Sequence, residues 1–96
     1  MASSKEFKNF VLEQLRELDN LSCRPMMGEY LLYYNGVLFG GIYDDRFLVK
    51  ITNSNKKYSL AKEIPYHEAR PMFLVTNLDD IDYLCNLVKD TCSGLK

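Results

Sequence analysis

Leu31-Leu32-Tyr33-Tyr34-Asn35-Gly36-Val37-Leu38-Phe39-Gly40-Gly41-Ile42-Tyr43-Asp44-Asp45-Arg46-Phe47-Leu48-Val49-Lys50-Ile51 is the stretch that decides the fold. Asn35-Gly36 is its strongest local signal. A type I′ turn needs positive φ at both central residues, and Asn-Gly adopts that at little cost. A two-residue loop there sets Tyr34 opposite Val37, Leu32 opposite Phe39 and Tyr30 opposite Gly41. A second two-residue turn at Asp44-Asp45 adds a third strand. One face of this meander then carries Leu31, Tyr33, Leu38, Gly40, Ile42, Phe47, Val49 and Ile51, and helices should cover it. The other face carries Tyr30, Leu32, Tyr34, Val37, Phe39, Tyr43, Arg46, Leu48 and Lys50. Because strand side chains alternate, a shift of one residue would exchange the two sets.

Upstream, Leu21 to Met26 reads as a short extended segment. Pro25 donates no ladder hydrogen bond, which places the segment at a sheet edge or just outside. Gly28 permits a sharp change of direction. Before it, Phe7, Phe10, Val11, Leu15 and Leu18 recur at helical spacing. Ser3 and Glu6 have capping-box spacing, and Asp19-Asn20 ends the helix. Downstream, Asn53-Ser54-Asn55 is a turn or cap. Lys56 to Lys62 allows a short helix with Tyr58 and Ala61 inward. Ile64 to Pro71 is an extended loop framed by prolines, and Met72 to Val75 is a further strand. Asn77 is placed to cap a last helix, with Asp79, Asp80 and Asp82 in its first turns, where the helix dipole favours negative charge. Ile81, Leu84, Cys85, Val88 and Cys92 form its apolar stripe, and Gly94 is its expected stop. This order predicts an α+β fold with two layers: a mainly antiparallel sheet with helices on one face.

Ninety-six residues suit a single domain spanning 1–96. The formal net charge of −1 argues against a domain that grips nucleic acid strongly by itself. No apolar run has the ~20 residues of a membrane span. Met1-Ala2-Ser3-Ser4-Lys5-Glu6 lacks a signal-peptide core, so a cytoplasmic location is expected. Cys23, Cys85 and Cys92 are odd in number and form no C-x-x-C pair, which points to thiols in a reducing compartment.

Catalytic chemistry is weakly signalled. His67, the one histidine, stands in a proline-flanked loop with no nucleophile or orienting acid implied nearby. Asp44-Asp45 falls far short of a Ca²⁺ ligand set and suits a turn. Cys85 and Cys92 lie on the core stripe. Cys23 has Arg24 beside it, and a neighbouring cation can lower a thiol pKa. Gly40-Gly41 lacks the context of a phosphate loop; a close helix approach is the expected reason for it. No cofactor and no metal is expected. A small enzyme or ligand binder using Cys23, His67 or an acidic pair is the alternative to a binding module.

The order and spacing of several short motifs resemble the N-terminal domain of the TfoX/Sxy regulators of bacterial competence. The matching residues are Arg24, Met26 and Gly28, then Asn35-Gly36-Val37-Leu38-Phe39-Gly40, then Asp45-Arg46-Phe47-Leu48-Val49-Lys50. Pro71-Met72 and the terminal amphipathic helix also match, and Met27 stands where many relatives have Phe. The resemblance implies a two-layer α/β fold related in topology to secretion chaperones. It implies a role in expressing competence genes, in concert with the cAMP receptor protein. Those regulators carry a second, C-terminal domain outside the segment resembled here. The family offers no catalytic residues to carry over.

The seven tyrosines remain as a functional feature, since Tyr suits interfaces. Tyr30, Leu32, Tyr34, Phe39, Tyr43 and Leu48 would make an apolar patch larger than monomers leave bare. Arg46 and Lys50 would rim it, and Arg24 and Met26 belong to an adjoining segment. The expected partner is another protein, a transcription factor among the options, or a second copy of the chain.

Overall fold

The computed structural model describes residues 3–95; Met1, Ala2 and Lys96, which include the first residues of the N-terminal stretch, lie outside the described residues. The elements are α1 (Lys5–Gln14), β1 (Leu21–Met26), β2 (Glu29–Tyr34), β3 (Val37–Tyr43), β4 (Arg46–Val49), β5 (Ala61–Glu63), β6 (Met72–Val75) and α2 (Ile81–Leu95). Six strands form one sheet in the order β1-β2-β3-β4-β6-β5, and every ladder is antiparallel. Both helices contribute to a single apolar core with one face of this sheet, so the fold is a two-layer α+β arrangement.

The turns are those the sequence asks for. Asn35 and Gly36 have φ of 52° and 80°, and Asp44 and Asp45 have 53° and 56°. Met27-Gly28 makes the turn between β1 and β2, with φ of 52° and 85°. β1 is an edge strand, where Pro25 leaves no neighbouring strand short of a donor.

The register departs from the simple hairpin. Tyr34 pairs with Val37 and Tyr33 with Leu38, but Leu32 then pairs with Gly40 and Tyr30 with Ile42. Phe39 is the extra residue of a β-bulge. Its carbonyl accepts from the Lys50 N–H at 2.8 Å, so the bulge leaves that group satisfied. Gly40 belongs to the same device. A Cβ there would collide with the Leu48 carbonyl and meet Val49 Cα at 2.9 Å. The two glycines thus serve strand-to-strand contact, not the close helix approach that the sequence suggested. At Gly41 a Cβ would meet the Tyr43 ring.

The bulge reverses the expected facing of β2 and the start of β3. Leu32 and Phe39 are fully buried in the core shared with the helices, and Tyr30, Tyr34 and Val37 pack at its margin. Leu31, Tyr33 and Leu38 point to the opposite face, contrary to expectation. Beyond the bulge the expected facing holds: Ile42, Phe47 and Val49 are buried under the helices.

α1 starts one residue later than the capping-box spacing suggests. Ser4 is the cap, its Oγ accepting from the Phe7 N–H at 3.1 Å. Val11 and Leu15 are fully buried, each stabilising by about 1.5–3 kcal/mol through area removed from water. Phe10 is 41% exposed, so it is not part of the buried stripe. Ser3 joins the sheet instead. Its N–H and Oγ both donate to Glu29 Oε1 at 2.9 Å, and its Oγ accepts from the Asp45 N–H at 3.0 Å.

Two corrections concern the C-terminal half. Lys56 to Lys62 is not one helix: a single 3₁₀ turn, Lys56–Tyr58, precedes the short strand β5. α2 is capped by Asp80, whose Oδ1 accepts from the Tyr83 N–H, and not by Asn77. The helix also runs through Gly94 to Leu95. Gly94 is small because α2 presses there on Thr52 and Ser54. Leu84, Cys85, Val88 and Cys92 form the expected buried stripe.

Asn55 locks this corner. It is fully buried, its Oδ1 accepts from the Thr52 N–H at 2.9 Å, and its Nδ2 donates to the Lys50 carbonyl at 2.8 Å and to Thr91 Oγ1 at 2.9 Å. Nearby, the Tyr58 hydroxyl donates to Asp90 Oδ2 at 2.6 Å, and Lys57 Nζ stands 3.2 Å from the same oxygen.

Candidate functional site

Both helices lie on one side of the sheet, so the other side is where function has room. The Ile64 to Pro71 loop folds under the β4–β6–β5 half of that outer face. Pro65 is buried, and the Tyr66 ring meets the Tyr43 ring at 6.0 Å between centroids. Arg46 anchors the loop. Its guanidinium donates to Glu63 Oε1 at 2.9 Å and to the carbonyls of Ile64 and Pro65 at 3.2 Å. Its Nε donates to the Tyr43 carbonyl. Leu48, on this face by its pairing with Gly41, is fully buried.

The β1–β2–β3 half is not roofed in this way. Between it and the loop runs a half-open groove of about 780 Å³. Its apolar lining comes from Met26, Leu31, Leu38, Tyr43, Ile51, Pro65, Met72 and Leu95. Lys50, Lys62 and Arg70 also line it, and among the described residues no Asp or Glu does; Lys62 stands opposite Phe73 in the ladder, so its side chain leaves toward the helix side. Beside it, Ser22, Arg24, Tyr33 and Gly36 line a shallower dent. Met27, 97% exposed, stands on the adjacent turn.

The residues expected to form one contact face are therefore divided. Met26, Tyr43 and Lys50 line the groove, and Arg24 lines the dent. Arg46 and Leu48 share this face but hold or underlie the loop. Tyr30, Leu32, Tyr34 and Phe39 lie on the helix side. The Tyr30 ring sits beneath Lys8 Nζ of α1, 5.3 Å from its centroid. These four do not form an exposed patch, because the bulge at Phe39 turns them inward. Leu31 and Leu38, assigned from sequence to the core, supply the apolar floor instead. Paired glycines in a strand are the signal that could have exposed the bulge.

The alternative catalytic set does not assemble. Cys23 packs at the margin of the helix-side core, and His67 belongs to the loop on the outer face. Burial pushes the Cys23 thiol up, against a smaller opposing pull from Lys8, which disfavours the reactive thiolate. The His67 side chain is 94% exposed, with Glu68 Oε1 3.8 Å from its Nε2. Asp44 and Asp45 are occupied as turn residues, Asp45 Oδ1 accepting from the Ser4 N–H at 2.7 Å. Among the described residues no three His, Cys, Asp or Glu side chains gather as metal ligands would. Burial also pushes the Tyr43 phenol up, and nearby Tyr66, Glu29 and Tyr33 add to the shift, so this groove tyrosine stays neutral.

Among the described residues no helix is long and apolar enough to cross a membrane. A comparison with curated proteins finds no match. The sequence profile of the TfoX N-terminal domain matches residues 13–76, from the end of α1 through β6, and so covers the whole sheet and every lining residue of the groove except Leu95. This chain belongs to the TfoX N-terminal domain family.

Proposed function

We propose that this chain is a non-enzymatic regulatory module that acts by contacting another protein through the helix-free face of its sheet. The genes it would influence are those of competence for DNA uptake, which is the suggestion of its family. A cytoplasmic transcription factor is the partner that suits such a role, and a second copy of the chain is the other occupant to test. The observation that carries the reading is the groove. Apolar side chains on an unroofed sheet face are what an interface buries, at roughly 25 cal/mol per Å² of apolar area. Lys50 and Arg70 at its side suit a polar margin around an apolar centre. The net charge of −1 supports a module that does not grip DNA strongly by itself.

The reading is tested by Leu31→Glu combined with Leu38→Glu in cells that express the chain. Both side chains lie on the outer face, so the variant should fold. Competence-gene transcripts should lose their dependence on the chain. A folded variant that supports them as wild type does would refute the reading.

A further inference from the structure

We infer that the groove takes an extended acidic segment of a partner protein, with apolar side chains alternating between its carboxylates. This rests on reading the outer face as a contact surface and specifies what that face accepts. Charge is the first argument. The chain as a whole is slightly acidic, yet Lys50 and Arg70 line one groove, and the nearby outer-face carboxylate, Glu63, is already held by Arg46 at 2.9 Å. Neither Lys50 nor Arg70 makes an ion pair among the described residues. A cleft lined by one sign of charge, with low-dielectric walls, focuses its field on the opposite sign.

The floor is the second argument. Leu31, Leu38 and Met72 are half-buried and apolar, so a purely ionic ligand would leave them unused. Methionine also repacks readily around different side chains, which suits a peptide site. Shape is the third. Small-molecule sites bury most of their ligand, typically about 70–90% of its surface. A half-open trough does not, whereas an extended chain can lay alternate side chains along it. The wall is built in advance, because Arg46 ties the loop to the sheet through two loop carbonyls, and a preformed wall lowers the ordering cost of binding.

The test titrates the whole chain with fluorescein-labelled peptides of alternating Glu and Leu, alternating Lys and Leu, and alternating Glu and Ser. A single-stranded oligonucleotide of equal charge is the fourth probe. The Glu-Leu peptide should bind at least about tenfold more tightly than each of the others, and more weakly as salt rises. Lys50→Glu with Arg70→Glu should abolish that preference. If the double variant does not fold, Arg70→Glu alone should weaken Glu-Leu binding and leave the melting temperature unchanged. Equal binding of the Glu-Ser peptide or the oligonucleotide would make this a general anion surface and overturn the inference. No binding of the Glu-Leu peptide, or binding indifferent to the charge reversals, would overturn it too. Such a failure beside a normal loss of transcripts in the Leu31/Leu38 variant removes the acidic ligand only. A failure of both removes the contact face as well.

Discussion

Leu32 stands across the ladder from Gly40, one residue beyond the Phe39 that a plain two-residue hairpin would place there. That offset buries Phe39 among the helices and turns Leu38 outward. Phe39→Ala should therefore cost about 3–5 kcal/mol, the loss for a fully enclosed aromatic side chain. Leu38→Ser, which empties no enclosed site, should cost about 1 kcal/mol or less. Denaturant midpoints of the two variants give the comparison. The opposite ranking would mean that the strands pair without the bulge.

Asn55 joins a turn, the end of β4 and α2 through one buried amide. Asn55→Ala leaves the Thr52 N–H, the Lys50 carbonyl and Thr91 Oγ1 each short of a partner in the interior. Thr91 Oγ1 keeps its donation to the Leu87 carbonyl. The loss should be about 3 kcal/mol, because buried polar groups without partners cost their desolvation. It is measured as a fall in unfolding free energy. A loss under about 1 kcal/mol would mean that water replaces the amide.

Tyr58 and Asp90 give the stability a pH signature. Burial, with the hydrogen bond to Asp90 next in weight, pushes the Tyr58 phenol up to about 12. The same hydrogen bond, helped by Lys57, holds the Asp90 carboxyl below its ordinary value. The raised Tyr58 value adds stability that is complete below the ordinary tyrosine pKa of about 10 and is lost as pH rises through about 12. The lowered Asp90 value adds stability above the ordinary Asp pKa of about 3.9, lost as pH falls through the depressed folded value. Tyr58→Phe should cost about 1 kcal/mol at neutral pH, a charged hydrogen bond discounted for partial exposure. Wild type and variant should converge at both extremes. A difference independent of pH would show that the hydroxyl and carboxylate are not coupled.

Arg46 is the tie on the outer-face loop. Arg46→Ala removes its donations to the Ile64 and Pro65 carbonyls and its ion pair with Glu63. Amide exchange around Tyr66 to Ala69 should rise by about tenfold or more, with the helix-side core unchanged, because local opening draws on local contacts. Unaltered exchange in that segment would mean that Pro65 and Tyr66 hold the loop without the guanidinium.

Most of the fold is legible in the sequence where a residue type answers to one local geometry. Asn35-Gly36 and Asp44-Asp45 specify their turns, Pro25 marks an edge, and the Leu84 to Cys92 stripe marks a buried helix face. What is not legible arises from tertiary context. A bulge changes facing without interrupting an apolar run, so the alternation from Val37 onward does not show it; only Gly40-Gly41 hints at it. β5 is too short for a periodic signal, and its pairing depends on β6. Asp80 outcompetes Asn77 as a cap because the chain reaches helical geometry only at Ile81. Arg24, Met26 and Lys50 lie on the outer side as the sequence suggests and Tyr43 faces it but is buried, whereas the one-residue shift at the bulge hides Leu31 and Leu38 behind Leu32 and Phe39.

Photo-crosslinking from the outer face tests the assignment of the contact surface most directly. A benzoylphenylalanine is placed at Leu38, and for comparison at Asn86, which is exposed on α2. Irradiated cells should yield a discrete adduct between the chain and one protein, or a second copy, from Leu38 and none from Asn86. Adducts from Asn86 alone, or none from Leu38 in a folded chain, would contradict a contact surface on the helix-free face.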